Sequence, residues 1–125
     1  MALIILFDKF SRNMYRGTAR MFATDEKARA VAGLATQRGF DLMSAPDRRL
    51  FFYLPFEHSE VLADQELALA LMRERIGEAR IIDYALKHKV IIQRFGRFPH
   101  RNAALGRQTT PEEAEFLKGG PDSSF

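Results

Sequence analysis

Cysteine and tryptophan are both missing from this 125-residue chain. Without cysteine there can be no disulfide and no thiolate metal site, and a reducing compartment is allowed. The chain has 8 glycines and 5 prolines, too few for a fibrous or low-complexity protein. No apolar run approaches the roughly 20 residues that span a bilayer. The opening stretch Met1 to Phe7 is apolar but lacks the basic start and small-residue cleavage site of a signal peptide, and Asp8 ends it. No period of roughly 30 to 45 residues repeats, as a solenoid would require. These absences lead to the expectation of one soluble, cytoplasmic domain spanning 1–125, with no membrane partner and no cofactor.

What is present is a single core's worth of apolar residues, 46%, with 28% charged. The net charge is only +3 but is unevenly placed. Arginines 12, 16 and 20 gather near the start. From residue 84 to residue 111 come Lys87, Lys89, Arg94, Arg97, Arg101 and Arg107 with no acid among them. Where those two regions meet, they make an anion-attracting surface.

Apolar spacing of three and four predicts about six helices and no strand, hence an all-α fold packed as an array or irregular bundle. The first covers about 2–10, apolar on nearly all sides, and suits a buried position or a partner's surface. Residues 11–22 read as a helix end and an irregular basic connection. Thr24 and Asp25 start a helix that Gly39 closes. Ser44, Pro46 and Asp47 open the next, with Ser44 as cap and Pro55 as its end. Ser59-Glu60 or Asp64 caps a helix closed by Gly77. Another runs from about 78 to 94, with His88 on its apolar face. Asn102 caps one turn closed by Gly106. Thr110-Pro111-Glu112-Glu113 has the pattern of a capping box. Residues 119–125 read as a frayed tail.

Three blocks resemble a known family. They are Phe7-Asp8-Lys9-Phe10-Ser11-Arg12-Asn13 with Tyr15-Arg16-Gly17-Thr18; Tyr53-Leu54-Pro55-Phe56-Glu57-His58-Ser59-Glu60; and Phe95 to Asn102 with Leu105-Gly106-Arg107 and Thr110 to Glu113. Together they are similar to the bacterial domain of unknown function 924 over nearly the whole chain. The resemblance implies an all-helical, tetratricopeptide-repeat-like architecture without that repeat's signature, and no assigned activity. The family usually has leucine, glutamine and proline where this chain has Phe7, Lys9 and Ser11. Its members usually carry helical sequence ahead of this chain's first residue. The apolar helix at Met1 is therefore expected to be covered in a homodimer.

Candidate chemistry centres on Arg94 to Asn102. Arginine's planar fork matches carboxylates and phosphates with paired hydrogen bonds. The expected ligand-binding set is Arg12, Asn13, Arg16, Arg97, His100, Arg101 and Asn102, taking a small anion or a peptide's acidic group. Gly96 is expected to allow close backbone approach. Glu57, His58 and Ser59 hold acid, base and hydroxyl in sequence, but neighbours on a helix cannot form a triad among themselves. In the binding reading Glu57 and His58 orient that ligand-binding set; in a cofactor-independent enzyme His58 or His88 is the candidate general base, with the arginines steadying negative charge and Glu57 a further catalytic candidate. The plainer reading makes His88 a core residue, Ser59 a cap, and the arginines a structural network on helix ends, Asp8 and Glu57. Asp8, Glu57, His58, His88 and His100 show no metal-ligand spacing, so no metal is expected. No recognised nucleic-acid module is present, and that partner is not favoured.

Overall fold

The computed structural model describes residues 1–120, in which seven helices form a single all-helical domain. Helix α1 occupies residues 2–14 in three continuous parts: Ala2–Ile5 is α-helical, Leu6–Phe10 makes a wider π turn, and Ser11–Met14 returns to α. The others are α2 (Asp25–Gln37), α3 (Pro46–Glu57), α4 (Leu62–Arg75), α5 (Ala79–Phe95), α6 (Asn102–Leu105) and α7 (Pro111–Leu117). Tight 3-10 turns cover Ala19–Phe22, Asp41–Met43 and Pro99–Arg101. Residues 121–125, most of the expected frayed tail, lie outside the described residues.

Helices α2 to α5 pack in series, each on the next, and α1 lies against α2 and α3. Small side chains decide how closely α2 approaches: Ala28 and Ala32 are fully buried and Ala35 nearly so. Against that face α3 supplies Phe52, Tyr53 and Phe56, and α4 supplies Ala68, Leu69 and Met72. A second cluster joins Ile91 and Ile92 of α5 to Phe98, with Phe95 and Phe116 packed beside it. It anchors the segment after α5, whose left-handed turn at Gly96 (φ 72°) suits glycine alone. That glycine is there for its conformation: no other group would come within 4 Å of a β-carbon at that position.

Several local expectations are corrected by the structure. Helix α1 runs on to Met14, and it is not central. Ile4 and Asp8 are its buried residues, while Leu3, Leu6, Phe10 and Met14 stay exposed. Pro55 sits inside α3, buried, because a proline so near the helix end removes a donor only from the last turn. The His58 N–H still reaches the Leu54 carbonyl at 2.8 Å. Ser44 does not cap α3; Ala45 holds that position without a side-chain bond. Val61 precedes α4, and Ser59 accepts its N–H at 3.1 Å through Oγ. Asn102 caps nothing, being the first residue of α6. The capping box at Thr110 and Glu113 is present with both of its hydrogen bonds.

A buried polar junction ties α3 and α4 to the 3-10 turn at Asp41–Met43. The Tyr53 hydroxyl of α3 donates to Asp41 at 2.5 Å, and Arg75 at the end of α4 donates to the same carboxylate at 2.6 Å. Arg49 then donates to the Arg75 carbonyl at 2.7 Å. Asp41 is fully buried. Burial pushes its carboxyl up, but the bonds from Tyr53 and Arg75 outweigh that and hold it below the ordinary value. Removing one partner leaves the others' polar groups unpaired. Asp41→Ala is therefore expected to cost about 3–5 kcal/mol of stability in urea unfolding, and Tyr53→Phe only about 1 kcal/mol. Equal effects would mean that the pair carries no charge-specific weight.

Candidate functional site

The turn after α3 is fixed from below and from the side. Gln65, buried in the first turn of α4, donates from its amide nitrogen to the carbonyls of Glu57 (2.6 Å) and Ser59 (2.7 Å). Arg101 donates to the carbonyl between them, that of His58, at 2.6 Å. Arg29 of α2 reaches Ser59 and Asp64 at 3.1 and 2.7 Å, and Ser59 donates to Asp64 at 2.6 Å. His58 is thus held by its backbone, and its ring has a fixed direction.

The ring is oriented by the π turn of α1. Asp8 is buried there and lies 2.8 Å from Nδ1 of His58. Burial raises the Asp8 carboxyl, but hydrogen bonds and charge from His58 and Arg12 win, so it stays ionised and accepts. Nδ1 of His58 therefore carries the proton and donates. Burial lowers the affinity of the ring for a second proton; Asp8 opposes this, and the charges of Arg12 and Arg101 reinforce it. The net shift is downward, so at neutral pH the ring is neutral with a lone pair on Nε2.

His58 faces a cavity of about 530 Å³. One wall comes from α1 and the turn after it, with Lys9, Arg12, Asn13 and Arg16; the opposite wall has Phe98, His100 and Arg101; His88 and Met21 complete it. The cations differ in their commitments. Arg12 pairs with Asp25 at 2.9 Å and approaches Asp8 at 3.5 Å. Arg101 is 6% exposed and lies between the rings of Phe22 and Phe98, 4.5 and 4.7 Å from their centres. Its Nε has no hydrogen-bond partner among the described residues, and burial with the Arg12 charge pushes its pKa down to about 10. Lys9 lies over the Phe51 ring at 5.7 Å, and Arg16 has no ion pair among the described residues.

Two more neutral imidazoles border the cavity. Nδ1 of His88 is 2.9 Å from the Tyr84 carbonyl, which can only accept, so that nitrogen carries the proton. It also lies 3.3 Å from Glu57. Burial takes His88 down to about 3. His100 is taken down to about 4 by burial and then by Arg101, and its buried Nδ1 is unpartnered among the described residues. Burial and the Asp8 charge push Glu57 up to about 7.

Of the ligand-binding set read from the sequence, Arg12, Asn13, Arg16, His100 and Arg101 line this cavity; Arg97 and Asn102 do not. Arg97 grips Glu113 through Nε and Nη2 at 2.9 and 2.7 Å and the Gln108 carbonyl at 2.7 Å. Asn102 is buried between Arg107 and Glu113. Both hold α7 in place. Of the base candidates, His58 and His88 reach the cavity, and Glu57 stands behind them beside His88. The carboxylate that orients His58 is Asp8, fifty positions away. Lys9 was missed. Its spacing of three, four and seven from Arg12, Asn13 and Arg16 would have revealed it on a longer first helix. Among the described residues no group of three or more His, Asp or Glu is placed to share a metal ion.

Residues 1–121 match the model of a family described as bacterial protein of unknown function (DUF924). A solved structure of a protein of unknown function from Agrobacterium tumefaciens is similar at 48% identity, with a TM-score of 0.90 over 95% of this chain. The match spans 66% of that protein's length. No curated protein matches.

The neutral histidines make stability depend on acid. Unfolded histidines take up a proton near 6.5, whereas folded His88 and His100 resist until about 3 and 4. Over that interval the unfolded chain holds more protons, so stability falls as pH falls. Glu57 works the other way, since from its ordinary 4.5 up to about 7 the folded chain holds the extra proton; the raised Asp25 adds to it. Three lowered histidines outweigh two raised carboxyls. The midpoint of urea unfolding is expected to drop between pH 7 and pH 5, and the drop is expected to shrink in His88→Gln. A midpoint that rises on acidification would show the rings to be charged.

Proposed function

The chain belongs to the DUF924 family of bacterial proteins of unknown function, and we propose that its basic cavity binds an anionic ligand through a carboxylate or phosphate group. The observation that carries this reading is the imbalance of charge at the cavity wall. Lys9, Arg12, Arg16 and Arg101 border it, while the nearby carboxylates Asp8 and Asp25 are taken up by Arg12 and His58. Lys9 and Arg16 have no acidic partner among the described residues. A volume of about 530 Å³ falls in the range of small-molecule sites. Phe98 and Met21 supply apolar wall. Cytoplasmic location and an unmodified small anion or acidic peptide end belong to the same reading.

Thermal melting against phosphate and a panel of phosphorylated and carboxylated metabolites tests it. A ligand at a hundredfold excess over Kd stabilises by about 2.7 kcal/mol. Arg16→Ala is expected to abolish the shift while leaving the unliganded melting point almost unchanged. Arg97→Ala is expected to do the reverse, lowering the melting point through loss of the Glu113 pair and keeping the shift. If no anion shifts the melt, or Arg16→Ala responds like the parent, the cavity is not an anion site.

A second reading, catalysis by a general base, is favoured by the Asp8–His58 pair. A buried carboxylate that fixes one imidazole tautomer and leaves the other nitrogen facing a cavity beside cations is the arrangement a proton-abstracting site needs. Its first requirement is that Asp8 governs the ring. Because Asp8 raises His58 against burial and the arginines, Asp8→Ala is expected to move the His58 titration, followed by its ring-proton NMR signal, to lower pH. An unchanged titration would separate the two groups and remove this reading.

A further inference from the structure

A second cavity, of about 480 Å³, opens on the other side of His58. Lys9 and His58 line both cavities, so the two adjoin at those side chains. The character of the wall changes across that boundary. In place of arginines stand Leu50 and Leu54 of α3 and Ile81 and Tyr84 of α5, with Arg80 exposed beside them. We propose, building on the anion-binding reading above, that the ligand is an amphiphilic anion whose charged head lies among Lys9, Arg12 and Arg16 and whose apolar tail passes His58 into the space between Leu50, Leu54 and Ile81.

Two observations support a tail there. Leu50 and Ile81 pack on the main core and present the rest of their surface to the cavity, so the groove is a rigid edge of the domain. Glu57 is the one acid in that lining. It is 2% exposed, and its Oε1 forms no hydrogen bond among the described residues, with Nδ1 of His88 3.3 Å away. With its pKa pushed up to about 7 by burial and the Asp8 charge, it carries less than a full negative charge near neutrality, which weakens its repulsion of an anion. Such a group serves a polar atom of the ligand at the joint between head and tail, such as the ester oxygen of an alkyl phosphate. The placement also sets that joint beside Nε2 of His58, where head binding and tail binding together would orient it.

Isothermal titration of the full chain with inorganic phosphate and then methyl, butyl and hexyl phosphate tests this. A parallel series from acetate to hexanoate distinguishes a phosphate head from a carboxylate head. All these chains are short enough to stay monomeric in solution. Affinity is expected to rise about fourfold per methylene over the first few carbons, the ratio that burial of each group implies. Ile81→Asn is expected to flatten that rise, and Leu50→Gln serves if the first variant does not fold. Binding of phosphate or acetate with no gain along either series would overturn the tail site and leave the anion site standing. A gain undiminished in the variants would place the tail elsewhere and also overturn it. No binding by any member would remove the anion site, and this inference with it.

Discussion

The candidate site hangs from the end of helix α3, where chain direction and hydrogen bonding are settled together. A helix leaves its last carbonyls without partners, and here that end is buried, so water cannot serve them. Gln65 and Arg101 between them take the carbonyls of Glu57, His58 and Ser59. The first comes from the next helix, and the second from a turn more than forty residues later in the chain. Joining them requires α4 to be docked and the segment after α5 to be folded back. That return is itself clipped: Glu60 accepts the Phe98 N–H at 2.6 Å and pairs with Arg107 at 2.8 Å. The position of His58 is therefore a consequence of the whole array, although the residue lies in a turn.

Charge follows the same logic. Arginines appear in this chain in two roles that a sequence writes identically. Arg97 and Arg107 close a network on Glu113, Glu60 and the Phe98 carbonyl, so that their charges are matched by carboxylates. Arg12 and Arg101 share one acid, Asp25, at 2.9 and 3.9 Å. Burial is strong enough to hold even that acid above its ordinary pKa. Arg101 makes up part of the deficit by stacking on Phe22 and Phe98, a contact worth about 2 kcal/mol when dry. An incompletely paired buried guanidinium is costly, and its cost falls when an anion arrives.

Much of the fold was legible because helix signals are local. Asp25 at a first turn, Gly39 past a last one and Thr110 with Glu113 each announce a boundary from within four residues. The errors came where a boundary depends on what is packed outside the segment. Pro55 is tolerated inside α3 because it falls in the last turn, where packing of Phe52, Tyr53 and Phe56 holds the helix despite the missing donor. The π turn at Leu6–Phe10 leaves no mark in composition, and it is the feature that delivers Asp8 to His58. Five of the seven expected ligand-binding residues came together because basic side chains crowd two segments that meet. Arg97 and Asn102 lie in the same segment but turn toward α7, and a three-residue 3-10 turn separates the two directions. No local pattern carries that choice.

The neutrality of the histidines is linked to the surplus of positive charge around them. His58, His88 and His100 are held uncharged first by burial and then by the arginines, Arg101 acting on all three. An anion that screened Arg12 and Arg101 would remove part of that pressure and let His58, already bonded to Asp8, take a proton more readily. By linkage the reverse holds equally: a proton on His58 adds a positive charge to the wall and tightens the hold on the anion. In a site of this construction, acid–base chemistry and anion recognition are therefore two readings of one electrostatic arrangement. Asp8 is its pivot, because it is the group whose fixed negative charge keeps His58 able to protonate amid so many cations.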